Sequence, residues 1–349
     1  WCTHCRKAYA DLSGGSQDEE TEDDIVNVTA GQSEKEYHSM NTIYFTNALA
    51  KNIKEWAAVY DPSHSYDVYM FSYGMTKACP VKTDAEGKPI LDENGNYKLF
   101  DDSLEISDNF GVIFCYSYNL YYEDTYDTVV ENSRDMLKRW KTVTDKFMIW
   151  NYTTHFQNYF APFNCIQTLQ EDYQLAASSG AKIMFDNGQY DHVSNTDWGV
   201  LKSYLKSKLA WNVNADVPAL IEKFFNGYYG EAAPIMKEVF CDYLTHHAYL
   251  AVENKVGMRR NTQDSQVTKA NYPYATVRAY LDKMNKAMES IAYLKVNDPA
   301  LYESLYDRIS LESLSYRWIE LHLYPDTYEY SQVTAAKNEL ITECKRLGV

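Results

Sequence analysis

Asp186 is the one carboxylate that falls directly at the exit of a predicted strand, in the run Phe185-Asp186-Asn187-Gly188-Gln189-Tyr190-Asp191. Three other apolar stretches also lead into polar and aromatic residues. These exits read Met70-Phe71-Ser72-Tyr73-Gly74, then Cys115-Tyr116-Ser117-Tyr118, then Trp150-Asn151-Tyr152 with His155 and Phe156 just beyond. Sugars present many hydroxyls to hydrogen-bond and CH-rich faces to stack on rings, with no charge to clamp. Hydroxyls, amides and aromatic faces at strand ends therefore suit a carbohydrate better than a redox group or a phosphate. Glycoside hydrolysis needs two carboxyls flanking the scissile bond, about 5–5.5 Å apart for retention or roughly 6.5–9.5 Å for inversion. Asp186 supplies one, as the candidate catalytic residue, and no equally well-placed second is found. Tyr73, Tyr118, Asn151, Tyr152 and His155 are the candidate substrate-binding residues. Each has an ordinary alternative: tyrosines pack, a loop histidine bonds its own backbone, and an aspartate caps a helix or turn.

Other chemistries are poorly served. Cys2-x-x-Cys5 is the only close cysteine pair among seven, and no second pair or His-x-x-x-His supplies the remaining ligands a zinc ion requires. The acidic run from Asp18 to Asp24 lacks the oxygen spacing and glycine turn of a calcium loop. Neither a metal nor a cofactor is expected. Lys+Arg 33 against Asp+Glu 49 leaves −16, which disfavours nucleic acid and an anionic membrane surface as partners. No apolar run approaches the roughly 18 residues needed to span a bilayer, so membrane insertion is not expected. Trp1 stands where an initiating Met would, and the expectation is that the chain was processed or begins inside something longer.

Placing these residues at strand ends requires the strands. Apolar positions Leu49, Ile53, Trp56, Ala57 and Tyr60 recur at helical intervals, predicting a helix over Ser39–Tyr60 that Asp61-Pro62 ends. Strands are predicted at Tyr66–Tyr73, Phe110–Ser117, Lys146–Tyr152 and Ala181–Asn187. Helices follow at Thr128–Thr142, at Ile166–Ser178, and on a face made by Trp198, Leu201, Leu205 and Leu209. Alternation of this kind implies parallel strands with helical crossovers. Between the first two strands, Asp84-Ala-Glu-Gly87 is echoed by Asp92-Glu-Asn-Gly95, which predicts a surface β-hairpin over 82–102. Beyond Trp211 the strands stop, and five amphipathic helices are predicted, broken at Gly230, Pro273, Pro299 and Pro325. The fold expected is α/β: residues 1–212 as half of a TIM-barrel-type (β/α)8 domain with four βα units, and 213–349 as an α-helical domain. An open doubly wound sheet is the alternative, but no glycine-rich phosphate loop follows any strand. In a barrel, successive strand ends share one rim.

The chain resembles the C-terminal half of a bacterial glycoside-hydrolase-like "domain of unknown function" family, DUF4838-type, related to glycoside hydrolase family 163. The matching residues are Trp1-Cys2-Thr-His-Cys5, Tyr73-Gly74, and Met148-Ile-Trp150-Asn151-Tyr152 with Phe156, Tyr159 and Pro162-Phe163. The longest match is Leu201-Lys-Ser-Tyr204-Leu-Lys-Ser-Lys208-Leu209-Ala-Trp211-Asn212. It continues through Asp216-Val217 and Phe224 to Tyr228-Tyr229-Gly230-Glu-Ala-Ala233, and the resemblance covers roughly residues 1–245. This resemblance implies an endo-β-N-acetylglucosaminidase-like hydrolase acting on amino-sugar-containing glycans, secreted, periplasmic or on the cell surface of a bacterium. It also implies that the second catalytic carboxylate precedes Trp1, so that the chain alone is a fragment without activity. Two positions depart from the family pattern: an acid often stands where this chain has Asn151, and Glu often stands where it has Asp186. Asn cannot serve as a general acid, and Asp is one methylene shorter. The competing expectation is a non-catalytic carbohydrate-binding protein on the same fold.

Overall fold

The computed structural model describes residues 34–116, 134–155, 158–189, 196–252 and 267–349. A long helix, α1 (Glu34–Tyr60), leads into strand β1 (Val68–Ser72), and β2 (Phe110–Tyr116) follows the hairpin region. Helix α2, whose described residues are 134–140, then precedes β3 (Phe147–Tyr152), α3 (Leu169–Ser178) and β4 (Ile183–Asn187). The strands form one four-stranded sheet in the order β1-β2-β3-β4. Val68 pairs with Phe110 and Val112 with Phe147, both in parallel. Lys182 N–H donates to Phe147 O at 3.2 Å and Thr153 N–H to Asn187 O at 3.0 Å, so β4 runs the same way as β3. The alternation expected from the sequence is thus present, with each strand within three residues of its predicted limits. Closure into a barrel is not: among the described residues the sheet is open.

Beyond β4 the described residues are helical. Helix α4 (Gly199–Trp211) is followed by α5 (Val217–Tyr229), α6 (Ala233–Val252), α7 (Tyr274–Ser290), α8 (Pro299–Leu323) and α9 (Tyr330–Leu347). Pro218 and Pro299 sit in the first turns of α5 and α8, where a missing N–H costs nothing. Asp216 and Asp298 cap those helices by accepting from Ala219 N–H and Leu301 N–H. The described residues group into two compact units. One comprises those up to 116 with 134–151 and 175–185, and the other those in 152–174 and 186–349.

In the first unit, period-two alternation divides the sheet into two unlike faces. Met70, Val112, Phe114, Phe147 and Ile149 are buried in one core with Ile43 and Ala50 of α1, Leu137 and Trp140 of α2, and Leu175 and Ala176 of α3. Among the described residues of this unit, the opposite face carries no such helical cover. Phe71 is 47% exposed, Ile183 49% and Phe185 40%. There the Phe71 and Trp150 rings meet at 5.6 Å and Trp150 and Phe185 at 4.2 Å. On this face the Tyr69 ring lies across its neighbour Gly111, where an added Cβ would come within 2.3 Å of the ring. Gly111→Ala is therefore expected to destabilise by about 1–3 kcal/mol through overpacking. Pairing it with Tyr69→Ala should recover most of the loss in a urea melt. Additive losses would mean the ring does not require the glycine.

The hairpin region holds a repeat where a single hairpin was expected. Two tight turns follow one another, bridged antiparallel at Thr83–Pro89 and Leu91–Tyr97 and joined at the base by Val81–Leu99. Asp84 Oδ1 accepts from Glu86 N–H at 3.1 Å and Lys88 N–H at 2.8 Å. Asp92 Oδ1 does the same for Asn94 and Asn96, each at 2.8 Å. Gly87 and Gly95 take φ of 80° and 79°, so the eight-residue echo encodes the same Asp-anchored, glycine-closed turn twice.

Candidate functional site

The second unit contains Asp186, and its surroundings build outward from the ends of β3 and β4. The hydrogen bond from Thr153 N–H to Asn187 O carries the β3–β4 pairing one step past β3 and holds Asp186 next to the strand exit. Tyr173 of α3, buried, donates its hydroxyl to Asp186 Oδ2. Burial, then the neighbouring Asp186 charge, pushes the Tyr173 phenol far above its ordinary value, so Tyr173 keeps its proton and is the donor. From the other side Lys206 of α4 donates to Thr153 Oγ1, and Thr153 Oγ1–H donates on to Asn187 O at 3.2 Å. Burial lowers the Lys206 ammonium below its ordinary value, an effect opposed mainly by the negative charge of Asp186.

One helical turn earlier, Lys202 is fully buried where Lys206 is half-buried, with its ammonium 2.7 Å from Phe163 O and 2.6 Å from Asp197 Oδ2. Asp197 Oδ2 additionally accepts from Phe163 N–H at 2.8 Å. Asp197 and Trp198, which lead into α4, have φ of 55° and 57°, left-handed values that cost non-glycine residues energy. Lys202 holds the first of them. The second is held by Glu312 of α8, whose Oε2 accepts from Trp198 N–H at 2.7 Å while Tyr229 OH lies 3.3 Å from Oε1. Trp198 itself is wedged against Phe225, Phe240 and Tyr243.

Burial raises the Glu312 carboxyl to about 8 from an ordinary 4.5, against the hydrogen bond from Trp198 N–H. The folded chain therefore binds one more proton here than the unfolded chain between pH 4.5 and about 8. Stability contributed by this group falls as pH rises through that window and levels off above it. Glu312→Gln retains an acceptor for Trp198 N–H but removes the titration. Urea midpoints at pH 5 and pH 8 should differ less in this variant than in the parent; identical differences would mean Glu312 does not titrate there.

A cleft of about 30 Å³, large enough for a water or one small polar group, is bounded by Thr153, Thr154, Gly188, Gln189, Thr196, Gly199, Lys202, Ser203 and Lys206. Gln189 braces its rim, donating to Thr196 Oγ1 at 3.1 Å and accepting from Thr196 N–H at 3.1 Å. No carboxylate is among the lining residues.

The residues singled out in the sequence are distributed as follows. Tyr152, half-buried, and Asp186 stand at the ends of neighbouring strands in the second unit. His155, in the same unit, is fully buried and its Nδ1 accepts from Asn158 N–H at 2.9 Å, which shapes the loop after β3. Asn151, also fully buried, and Tyr73, which is 42% exposed, fall in the first unit. Tyr118 lies outside the described residues, as do Cys2 and Cys5. Among the described residues, no group of three or more His, Cys, Asp or Glu side chains is placed to hold a metal ion. No helix there is long and apolar enough to cross a membrane. Tyr173, Thr153, Lys202 and Lys206 were not foreseen. The only signal for the lysines was their four-residue spacing beside Leu201 and Leu205.

The fold and site thus define an α/β protein with an open parallel sheet and a carboxylate–phenol–ammonium cluster at the strand exits. Residues 96–241 match the family described as "Domain of unknown function (DUF4838)". The segment includes Thr153, Tyr173, Asp186, Lys202 and Lys206, whereas Glu312 lies beyond it. Among curated proteins and among solved structures, nothing matches the chain.

Proposed function

We propose that this is a glycoside-hydrolase-like protein acting on amino-sugar-containing glycans, with Asp186 as its working carboxylate. The observation that carries the reading is the placement of Asp186 at the exit of a parallel strand, with Tyr173 donating to it and Lys206 in its electrostatic reach. Because the phenol is the donor, Asp186 Oδ2 is arranged as an acceptor. That suits a nucleophile, a general base or an acceptor for a sugar hydroxyl, and not the acid that protonates a leaving group. A segment of a (β/α)8 barrel is the finer fold we propose. Its support is a strand order without the reversal that a doubly wound sheet has, and a sheet that the described helices of its own unit cover on one face only, although parallel sheets are ordinarily covered on both. The apolar Phe71–Trp150–Phe185 face would then look into the barrel. A glycan substrate places the protein in the secreted, periplasmic or surface compartments where such polymers are met.

A second reading, glycan binding without turnover, is favoured by the cleft itself, whose lining includes no carboxylate. Incubating the protein with N-glycans rich in N-acetylglucosamine separates the two. Release of free oligosaccharide supports the hydrolase, calorimetric binding without release supports the binder, and neither effect overturns both.

A further inference from the structure

We propose that the cleft between the β3–β4 exits and the first two turns of α4 receives a small oxyanion carried on the glycan, a carboxylate or a sulfate ester. This inference rests on the glycan reading and narrows its substrate class.

An ammonium has three N–H donors and no acceptor. Lys202 commits two, to Phe163 O and Asp197 Oδ2. Lys206 commits one, to Thr153 Oγ1. Three ammonium donors thus remain on two side chains that line a single cleft. Of the four hydroxyls in the lining, those of Thr153, Thr196 and Ser203 have already spent their protons. Thr196 Oγ1 donates to Tyr159 O at 2.6 Å, Ser203 Oγ to Gly199 O at 2.9 Å, and Thr153 Oγ1 to Asn187 O at 3.2 Å. Beside the Thr154 hydroxyl, the capacity left over is the charged capacity of the two ammoniums, which an oxyanion uses better than a neutral hydroxyl.

Charge points the same way. Lys202 has Asp197 within ion-pair distance, whereas Lys206 is bonded to a neutral hydroxyl, and Asp186 acts on it only through space. Lys206 is half-buried, and a partly desolvated cation lacking a contact counter-ion is costly unless something supplies one. Gly188 and Gly199 add no side chain to the lining, so a ligand can approach the backbone closely. At about 30 Å³ the cleft has room for one such group.

The test compares calorimetric binding of N-acetyllactosamine, its 6-sulfated form and its sialylated form, with sodium sulfate as a fourth probe. Parent protein, Lys206→Met and Lys206→Arg are used, with thermal melts to confirm folding. At least a tenfold tighter binding of one acidic sugar over the neutral one is expected, weakening with added salt. Lys206→Met should abolish that preference and Lys206→Arg restore part of it. Which acidic sugar is preferred identifies the carboxylate or the sulfate as the natural group. Equal binding of neutral and acidic sugars, or a preference that survives Lys206→Met, overturns the inference while leaving the glycan reading intact. Binding of sodium sulfate with no advantage for any sugar-borne group overturns the glycan source. No binding by any sugar overturns the glycan reading together with this inference.

Discussion

Asp186→Asn is expected to lower kcat for glycan hydrolysis by about 10²–10⁴-fold, the usual cost of removing a positioned acid or base. The fold should hardly respond, because the Asn amide oxygen can still accept from the Tyr173 hydroxyl. Asp186→Ala is the contrasting variant. It strands a buried phenol without its acceptor and should cost about 1–3 kcal/mol in stability besides the loss of turnover. Tyr173→Phe completes the set: the carboxylate stays and only its orienting donor is removed. If the protein binds glycans without cleaving them, Asp186→Asn should instead weaken binding by about 1.5–3 kcal/mol, the worth of a hydrogen bond to a charged group. Initial-rate assays and calorimetry on the same preparations separate these outcomes. Full activity and unchanged affinity in the Asn variant would leave Asp186 a structural acceptor for Tyr173 and nothing more.

How much of this could be read from the sequence depends on whether the signal was local. Strand bodies such as Phe110–Tyr116 and Phe147–Tyr152 announce themselves by near-continuous apolar character, whereas the Asp-x-x-Gly echo signals one hairpin and the structure makes the turn twice. Val217–Tyr229 carries local signals at both ends, a capping aspartate and a proline at its start and Gly230 at its close. Asp186 was visible for the same reason, as a lone carboxylate closing a strand. Its partners were not, since Tyr173 is 13 residues away and the connection is made only when α3 folds against β4. Lys202 and Lys206 were hidden differently. They lie in a block whose leucines dominate its periodicity, so it read as packing, and the lysines took the appearance of a solvated face. Burial of Lys202 follows from the turn at Asp197-Trp198, whose left-handed backbone no composition or period encodes. His155 is buried after β3, where its Nδ1 accepts from Asn158 N–H, a contact within its own loop that position at a strand end does not reveal.

That left-handed turn is where the largest stability effect is expected. The side chains of Lys202 and Asp197 are 6% and 4% exposed, and their contact is 2.6 Å. Replacing a whole buried pair by apolar groups is often neutral, but removing one partner leaves the other charge buried and costs about 3–5 kcal/mol. Lys202→Met should therefore lower stability by that amount, read as a drop in urea midpoint with unchanged slope. Adding Asp197→Asn should recover most of it. The amide is neutral, it can still accept from Phe163 N–H, and Asn is among the few residues that take a left-handed φ readily. Adding Asp197→Ala instead should fail to rescue, since alanine supplies neither the acceptor nor the backbone tolerance. The turn also sets where α4 begins, and Lys206 lies one turn beyond Lys202 on that helix. Lys202→Met at temperatures where it remains folded should therefore weaken binding of acidic sugars as well, and the Lys202→Met/Asp197→Asn pair should regain stability more completely than it regains that binding. A Lys202→Met protein within about 0.5 kcal/mol of the parent, the ordinary range for a surface change, would show that Glu312 alone holds the turn through Trp198 N–H and that the ion pair is dispensable.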